Sequence, residues 1–225
     1  MSRPVVKICG IARSEDVVTS TRFGADYFGS VIEVPYSKRS VSLEEAEALF
    51  RDASLPGVAL VVNRKAEEII QLTERLAPHA VQLAGDEPPE LVQDLRPRVS
   101  AQIWKTLHLP TSSEPETGFE EVLGLARLYQ EAGVDWFIVD AITVVEGQVH
   151  HGGTGKTCDW DLACGIISAL DRPCLIAGGI RPDNARAALE ASGAVGVDCS
   201  SGVEKEPGKK DPAKIRLLIH QTRNG

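Results

Sequence analysis

Two side chains in this sequence could move protons, and each ends a short apolar run. Cys9 closes Val5–Cys9 and is followed by Gly10, while Asp140 closes Trp136–Asp140 after Phe137, Ile138 and Val139. A thiol at a strand rim, beside a cation or an amide dipole, can be drawn towards thiolate and serve as a base. The same position suits a buried core cysteine equally well. A carboxylate in the place of Asp140 either works in a site or caps the segment that follows. Arg39, Asp86, Lys105 and Asp198 are further charged groups at or just past the ends of such runs.

Three glycine-rich loops offer a second kind of chemistry. Gly152-Gly153-Thr154-Gly155-Lys156-Thr157, Ala177-Gly178-Gly179-Ile180 and Ser200-Ser201-Gly202 each follow an apolar run. Glycine lets backbone amides come close to an anion, and hydroxyls add donors, so such loops can cradle a phosphate. Tight turns and helix caps use the same residues. The first loop is no Walker A motif, because His150 stands where a P-loop needs its leading glycine.

Elements of two kinds must position these groups. Eight short, nearly continuous apolar runs read as strands buried on both faces: Val5–Cys9, Tyr27–Ile32, Val58–Val62, Ala80–Leu83, Ala101–Thr106, Trp136–Asp140, Cys174–Ala177 and Val195–Cys199. Helical stretches separate them. Ser14-Glu15-Asp16 opens the first, and Ser42-Leu43-Glu44-Glu45 is a capping-box pattern. Lys65–Leu76, Pro88–Leu95, Phe119–Ala132, Asp159–Ala169, Pro182–Ala191 and Pro212–Gln221 follow, with Pro182 and Pro212 placed for a first helical turn. Residues 107–117 read as the longest irregular piece. Strict alternation predicts parallel strands with right-handed crossovers, closed into a (β/α)8 barrel or laid out as an open doubly wound sheet. In a barrel, chemistry belongs at the C-terminal strand ends, and phosphate often sits after strands seven and eight.

Composition narrows the classes. The net charge of −8, from 24 basic and 32 acidic residues, argues against nucleic acid as a partner without forbidding a small anion. No apolar stretch is long enough to span a membrane and no secretory signal is visible, which makes the cytoplasm the expected location. Five scattered cysteines form neither a disulfide framework nor a CxxC pair, and no His/Cys cluster reads as a metal site.

The motifs also have an order. Lys7-Ile8-Cys9-Gly10-Ile11 comes first, then Ser37-Lys38-Arg39, then Val81-Gln82-Leu83 with Gly85-Asp86-Glu87. Gly152–Thr157 before Asp159-Trp160, Ala177–Ile180 with Pro182-Asp183-Asn184, Val197-Asp198 with Ser200–Glu204, and Pro207–Asp211 complete the series. Together, over nearly the whole chain, they resemble the phosphoribosylanthranilate isomerases. The resemblance implies an α/β fold, a single (β/α)8 TIM barrel spanning residues 1–225, acting as a monomer or homodimer on a phosphosugar. It implies an Amadori rearrangement of N-(5-phosphoribosyl)anthranilate in tryptophan biosynthesis, with Cys9 as general base and Asp140 as general acid. Arg39 matches the arginine that engages the anthranilate carboxylate. Lys7, Gln82, Asp86, Gly153, Gly155, Gly178, Gly179, Asp198, Ser200, Ser201 and Gly202 are the implied substrate contacts. No cofactor and no metal is implied, since the imine nitrogen comes from the substrate's own amine.

The chain departs from the family pattern near the expected anthranilate end. The VQLxG stretch usually carries histidine before its glycine, and here that residue is Ala84. An aromatic-rich segment after strand two is replaced by Gly29-Ser30-Val31-Ile32-Glu33, with one extra residue before Arg39. Less aromatic surface and an added carboxylate are therefore expected there. Two rival readings remain. The histidine-pathway isomerase shares the phosphate loops but uses aspartate at the position of Cys9. A non-catalytic phosphosugar-binding barrel would have no need of both Cys9 and Asp140.

Overall fold

A computed structural model describes residues 3–109, 115–145, 148–151 and 160–224, with side chains described outside 115–117, 141–145 and 148–151. Eight parallel strands form the barrel: β1 (Val5–Ile8), β2 (Tyr27–Ile32), β3 (Gly57–Val61), β4 (Ala80–Leu83), β5 (Gln102–Leu109), β6 (Trp136–Val145), β7 (Cys174–Ile176) and β8 (Gly196–Cys199). Each strand pairs with the next, and β8 pairs with β1, which closes the sheet. Among the described residues eight α-helices alternate with them: α1 (Ser14–Phe23), α2 (Leu43–Arg51), α3 (Ala66–Leu76), α4 (Pro89–Leu95), α5 (Pro115–Ala132), α6 (Trp160–Ser168), α7 (Ala185–Ser192) and α8 (Pro212–Asn224). Closure decides against the open doubly wound sheet.

Strand alternation splits the interior in two. Outward residues such as Val6, Ile8, Phe28, Val61, Leu83, Phe137 and Ile176 pack beneath the helices. Inward residues Val58, Ala80, Trp104, Ile138 and Leu175 fill the barrel, with Val5, Tyr27 and Trp136 at its base. Trp104 meets Tyr27 edge-on at 5.0 Å and stacks on Trp136 at 5.3 Å, so the N-terminal end is plugged and the cavity can open only at the other. The Ser42 capping box forms as the sequence predicts, with Glu45 N–H donating to Ser42 Oγ at 3.2 Å and Ser42 N–H to Glu45 Oε2 at 2.7 Å.

Three local expectations change. β5 runs on to Leu109 and α5 begins at Pro115, so most of 107–117 is regular structure. The reason is pairing: Leu107, His108 and Leu109 lie opposite Val139, Asp140 and Ala141 of a β6 that is itself longer than predicted. β6 continues through the β-branched Ile142–Val145 and pairs antiparallel with Gln148–His151. Pro182 lies in a turn before α7, which starts at Ala185 after Asn184. Asn184 binds both sides of that turn, accepting from Arg181 N–H and donating to the Gly179 carbonyl at 3.0 Å.

Candidate active site

At the C-terminal strand ends lies an open-mouthed cavity of about 890 Å³. Its walls follow the inward register: Cys9 after β1, Val31 on β2, Leu60 and Val62 at β3, Gln82 and Ala84 at β4, Thr106 and His108 on β5, Ile138 and Asp140 on β6, Ala177 after β7, and Asp198 and Ser200 at β8. Loops add Val34, Tyr36, Ser37, Arg39, Gly178, Gly179, Ile180 and Ser201.

The floor is a buried ion pair. Lys7 Nζ donates to Asp198 Oδ2 at 2.9 Å, and the lysine side chain has no solvent exposure. Burial alone would depress the lysine pKa, but Asp198 and Cys9 beside it outweigh that and raise it, so the ammonium is kept. The Cys9 thiol is pushed up, first by burial and further by Asp198, against the opposing pull of Lys7 and Lys210. At neutral pH it therefore rests as a thiol with a cation beneath it. Asp198 Oδ1 and Gln82 Oε1, both buried, accept no hydrogen bond from the described residues. Each is an acceptor directed at a cavity that a polyhydroxylated ligand could fill.

One wall is a network around Glu204. Its carboxylate accepts from Arg39 Nε at 2.9 Å and Nη2 at 2.7 Å, from Lys210 Nζ at 2.8 Å and from Gly208 N–H at 3.2 Å. Lys210 Nζ also donates to the Cys9 and Ser200 carbonyls, joining the end of β1 to the loop after β8. Burial would lift the Glu204 carboxyl, yet Arg39 and Lys210 outweigh it and hold it below the ordinary value. The Arg39 side chain packs against Gly10, where an added Cβ would lie 2.5 Å from its Cδ. Glu204 occupies one edge of the guanidinium, leaving the Nη1 edge for a second planar anion.

The loops after β7 and β8 face the cavity beside Asp198. Gly178 and Gly179 both have left-handed backbone, with φ of 80° and 67°. The N–H groups of Gly178, Gly179, Ser200 and Ser201 meet no acceptor among the described residues, an arrangement suited to holding an anion. Gly202 does not line the cavity. A Cβ there would lie 2.0 Å from the Ile180 carbonyl oxygen, so this glycine lets the two loops touch. Gly153, Gly155, Lys156 and the rest of the first glycine loop lie outside the described residues.

Two sequence candidates are placed elsewhere. Asp86 is exposed and outside the cavity lining, held through its N–H to Asn63 Oδ1 at 2.7 Å. Its neighbour Glu87 is the buried one. Lys105 lies on the outward face of β5, so alternation turns it away from the cavity. It donates to Glu87 Oε2 at 2.9 Å and to the Leu83 and Gly85 carbonyls, pinning the turn after β4. The added carboxylate of Glu33 is likewise diverted: it pairs with Arg64 at 2.7 Å. Buried Ser30 donates to the Ile11 carbonyl at 2.7 Å. Thr106, His108 and Tyr36 are lining residues that the sequence reading passed over. Counting by two from Trp104 finds the first pair once β5 is known to be long; Tyr36 sits in the lengthened loop and has no such periodic signal.

A thiol, a carboxylate and backbone amides gathered at the C-terminal mouth of a closed parallel barrel mark the chain as a (β/α)8-barrel protein with an enzyme-like site. The model of the family described as N-(5'phosphoribosyl)anthranilate (PRA) isomerase matches residues 6–221. The N-(5'-phosphoribosyl)anthranilate isomerase of Methanopyrus kandleri is 38% identical over 222 residues, covering 97% of this chain and 98% of its own. Monomers of the dimeric phosphoribosylanthranilate isomerase from Thermotoga maritima have a crystal structure similar to this one, with TM-score 0.80, 32% identity and 97% and 98% of the two chains covered. Another phosphoribosyl anthranilate isomerase structure, in complex with reduced 1-(o-carboxyphenylamino)-1-deoxyribulose 5-phosphate, gives TM-score 0.79 at 30% identity over 97% of this chain and 98% of that one. This chain belongs to the phosphoribosylanthranilate isomerase family.

Proposed function

We propose that this protein converts N-(5-phosphoribosyl)anthranilate into 1-(2-carboxyphenylamino)-1-deoxyribulose 5-phosphate, with Cys9 and Asp140 as its proton-transfer pair. The observation that carries the assignment is the meeting of both groups in one cavity that also holds the open amides of Gly178, Gly179, Ser200 and Ser201. Those amides receive the phosphate. Gly153 and Gly155, by the family resemblance, add to the same cradle. The Nη1 edge of Arg39 takes the anthranilate carboxylate, while Asp198 and Gln82 accept from the sugar hydroxyls. Lys7 acts from beneath, as the countercharge of Asp198 and of any thiolate at Cys9.

The steps balance without an outside reagent. Asp140 gives a proton to the ring oxygen as the bond from that oxygen to C1 breaks, and the anilino nitrogen's lone pair completes the imine. Cys9, as thiolate, removes the C2 proton, and those electrons form the C1–C2 double bond of an enolamine. Tautomerisation returns a proton to C1 and leaves a ketone at C2. One group gives and another takes, which requires environments that separate their pKa values. Because the Cys9 thiol is raised, its active form grows with pH. By the family resemblance the enzyme works as a monomer or a homodimer. Among the described residues no helix is long and apolar enough to cross a membrane; we place the enzyme in the cytoplasm.

The test is loss of anthranilate-type fluorescence on mixing the protein with phosphoribosylanthranilate made in situ, alongside Cys9→Ala and Asp140→Asn. Turnover by wild type with both variants reduced at least about 100-fold, the lower range for a lost general acid or base, is the expected result. Folded wild-type protein that leaves the fluorescence unchanged would refute the reading.

A further inference from the structure

The family resemblance leads one to expect a histidine before the glycine that follows β4, and Ala84 stands there. The cavity nevertheless contains an imidazole. His108 lies on the inward face of β5, two residues beyond Thr106, and its Nε2 is 3.0 Å from the carbonyl oxygen of Ala84 itself. A carbonyl can only accept, so Nε2 carries the hydrogen, and that bond fixes the plane of the ring. His108 also sits opposite Asp140 in the β5–β6 register. The ring is thus brought from the neighbouring strand and docked on the residue that lacks one.

We propose that His108 is a specificity-determining residue of this enzyme, contacting the aryl group of the substrate with an imidazole delivered from β5 in place of one from the β4 loop. This rests on the isomerase reading above. Tyr36, 68% exposed at the cavity mouth, is the other aromatic ring of the lining among the described residues and stands on the lengthened loop that leads to Arg39. His108 and Tyr36 thus give the cavity that also holds Arg39 the aromatic surface an aminobenzoate requires. A ring held by a backbone bond offers its face at little entropic cost, and aromatic pairs prefer offset or edge-on contact.

Binding and turnover are measured for wild type, His108→Asn, His108→Phe, and the exchange His108→Ala/Ala84→His. Two ligands are titrated: reduced 1-(o-carboxyphenylamino)-1-deoxyribulose 5-phosphate, which carries the aryl group, and ribose 5-phosphate, which does not. His108→Asn should weaken the aryl ligand and raise KM about 10-fold, with kcat within about 3-fold and ribose 5-phosphate unchanged, as for loss of one aromatic contact. His108→Phe should retain most of the aryl affinity, and the exchange variant should recover a large part of it. Equal weakening of both ligands by His108→Asn overturns the proposal, as does a fall in kcat with KM unmoved, or no change at all. If wild type turns nothing over, the isomerase reading fails. The two titrations then still judge His108, because they need only binding.

Discussion

Glu204→Gln tests the network that holds Arg39 over the cavity. Four N–H donors converge on the carboxylate, from Arg39 Nε and Nη2, Lys210 Nζ and Gly208, and its side chain is only 5% exposed. Glutamine has nearly the same shape but only one acceptor oxygen, and it turns an amide donor towards the remaining N–H groups. Removing one member of a buried ion pair costs about 3–5 kcal/mol. Arg39, at 19% side-chain exposure, can turn partly to water, which favours the lower end, about 3 kcal/mol. For a chain of this size that is about 6–12 °C in Tm. The pH dependence has a definite sign. The folded carboxyl lies below its ordinary value, so its stabilisation is complete above about pH 4.3 and disappears as pH falls through the folded pKa. Urea denaturation of both proteins should thus show the full gap at neutral pH and a shrinking one below about pH 4. KM for the substrate should also rise, since Arg39 loses its support. A variant within about 1 kcal/mol of wild type at neutral pH, or a gap that ignores pH, would refute the argument.

Three further outcomes follow from the same contacts. Alkylation of Cys9 should accelerate with pH about a midpoint above the ordinary thiol value of about 8.5, because burial and Asp198 outweigh Lys7, and Lys7→Met should move it higher. Mass spectrometry after brief treatment should find Cys174 and Cys199, pushed up to about 12, unmodified, and a Cys9 midpoint below about 8 would show that the lysine dominates instead. Lys105→Met strands the buried Glu87 carboxylate and should cost about 3–5 kcal/mol in denaturant titrations while kcat stays within a few-fold, whereas a selective collapse of kcat would mean that Lys105 has a chemical role. Gly202→Ala forces a Cβ against the Ile180 carbonyl and should spread the two loops; inhibition by inorganic phosphate should weaken at least about 10-fold, and unchanged inhibition would separate that contact from anion binding.

The sequence by itself determined the alternation of elements, because apolar runs of strand length and amphipathic stretches of helix length are local patterns that survive in one dimension. It also marked Cys9, Asp140, Arg39 and the loops after β7 and β8, since each ends or follows a readable strand. It did not determine which side of a strand each group faces at the rim. Lys105 and Thr106 are adjacent in the chain, yet alternation sends one outward to Glu87 and the other into the cavity. Closure of the barrel, the extension of β5 along β6 and the docking of His108 on Ala84 come from pairing between strands distant in sequence. The same holds for Glu204, which meets Arg39 across 165 positions of chain. Such contacts depend on register and packing in three dimensions, and no local pattern of residues encodes them.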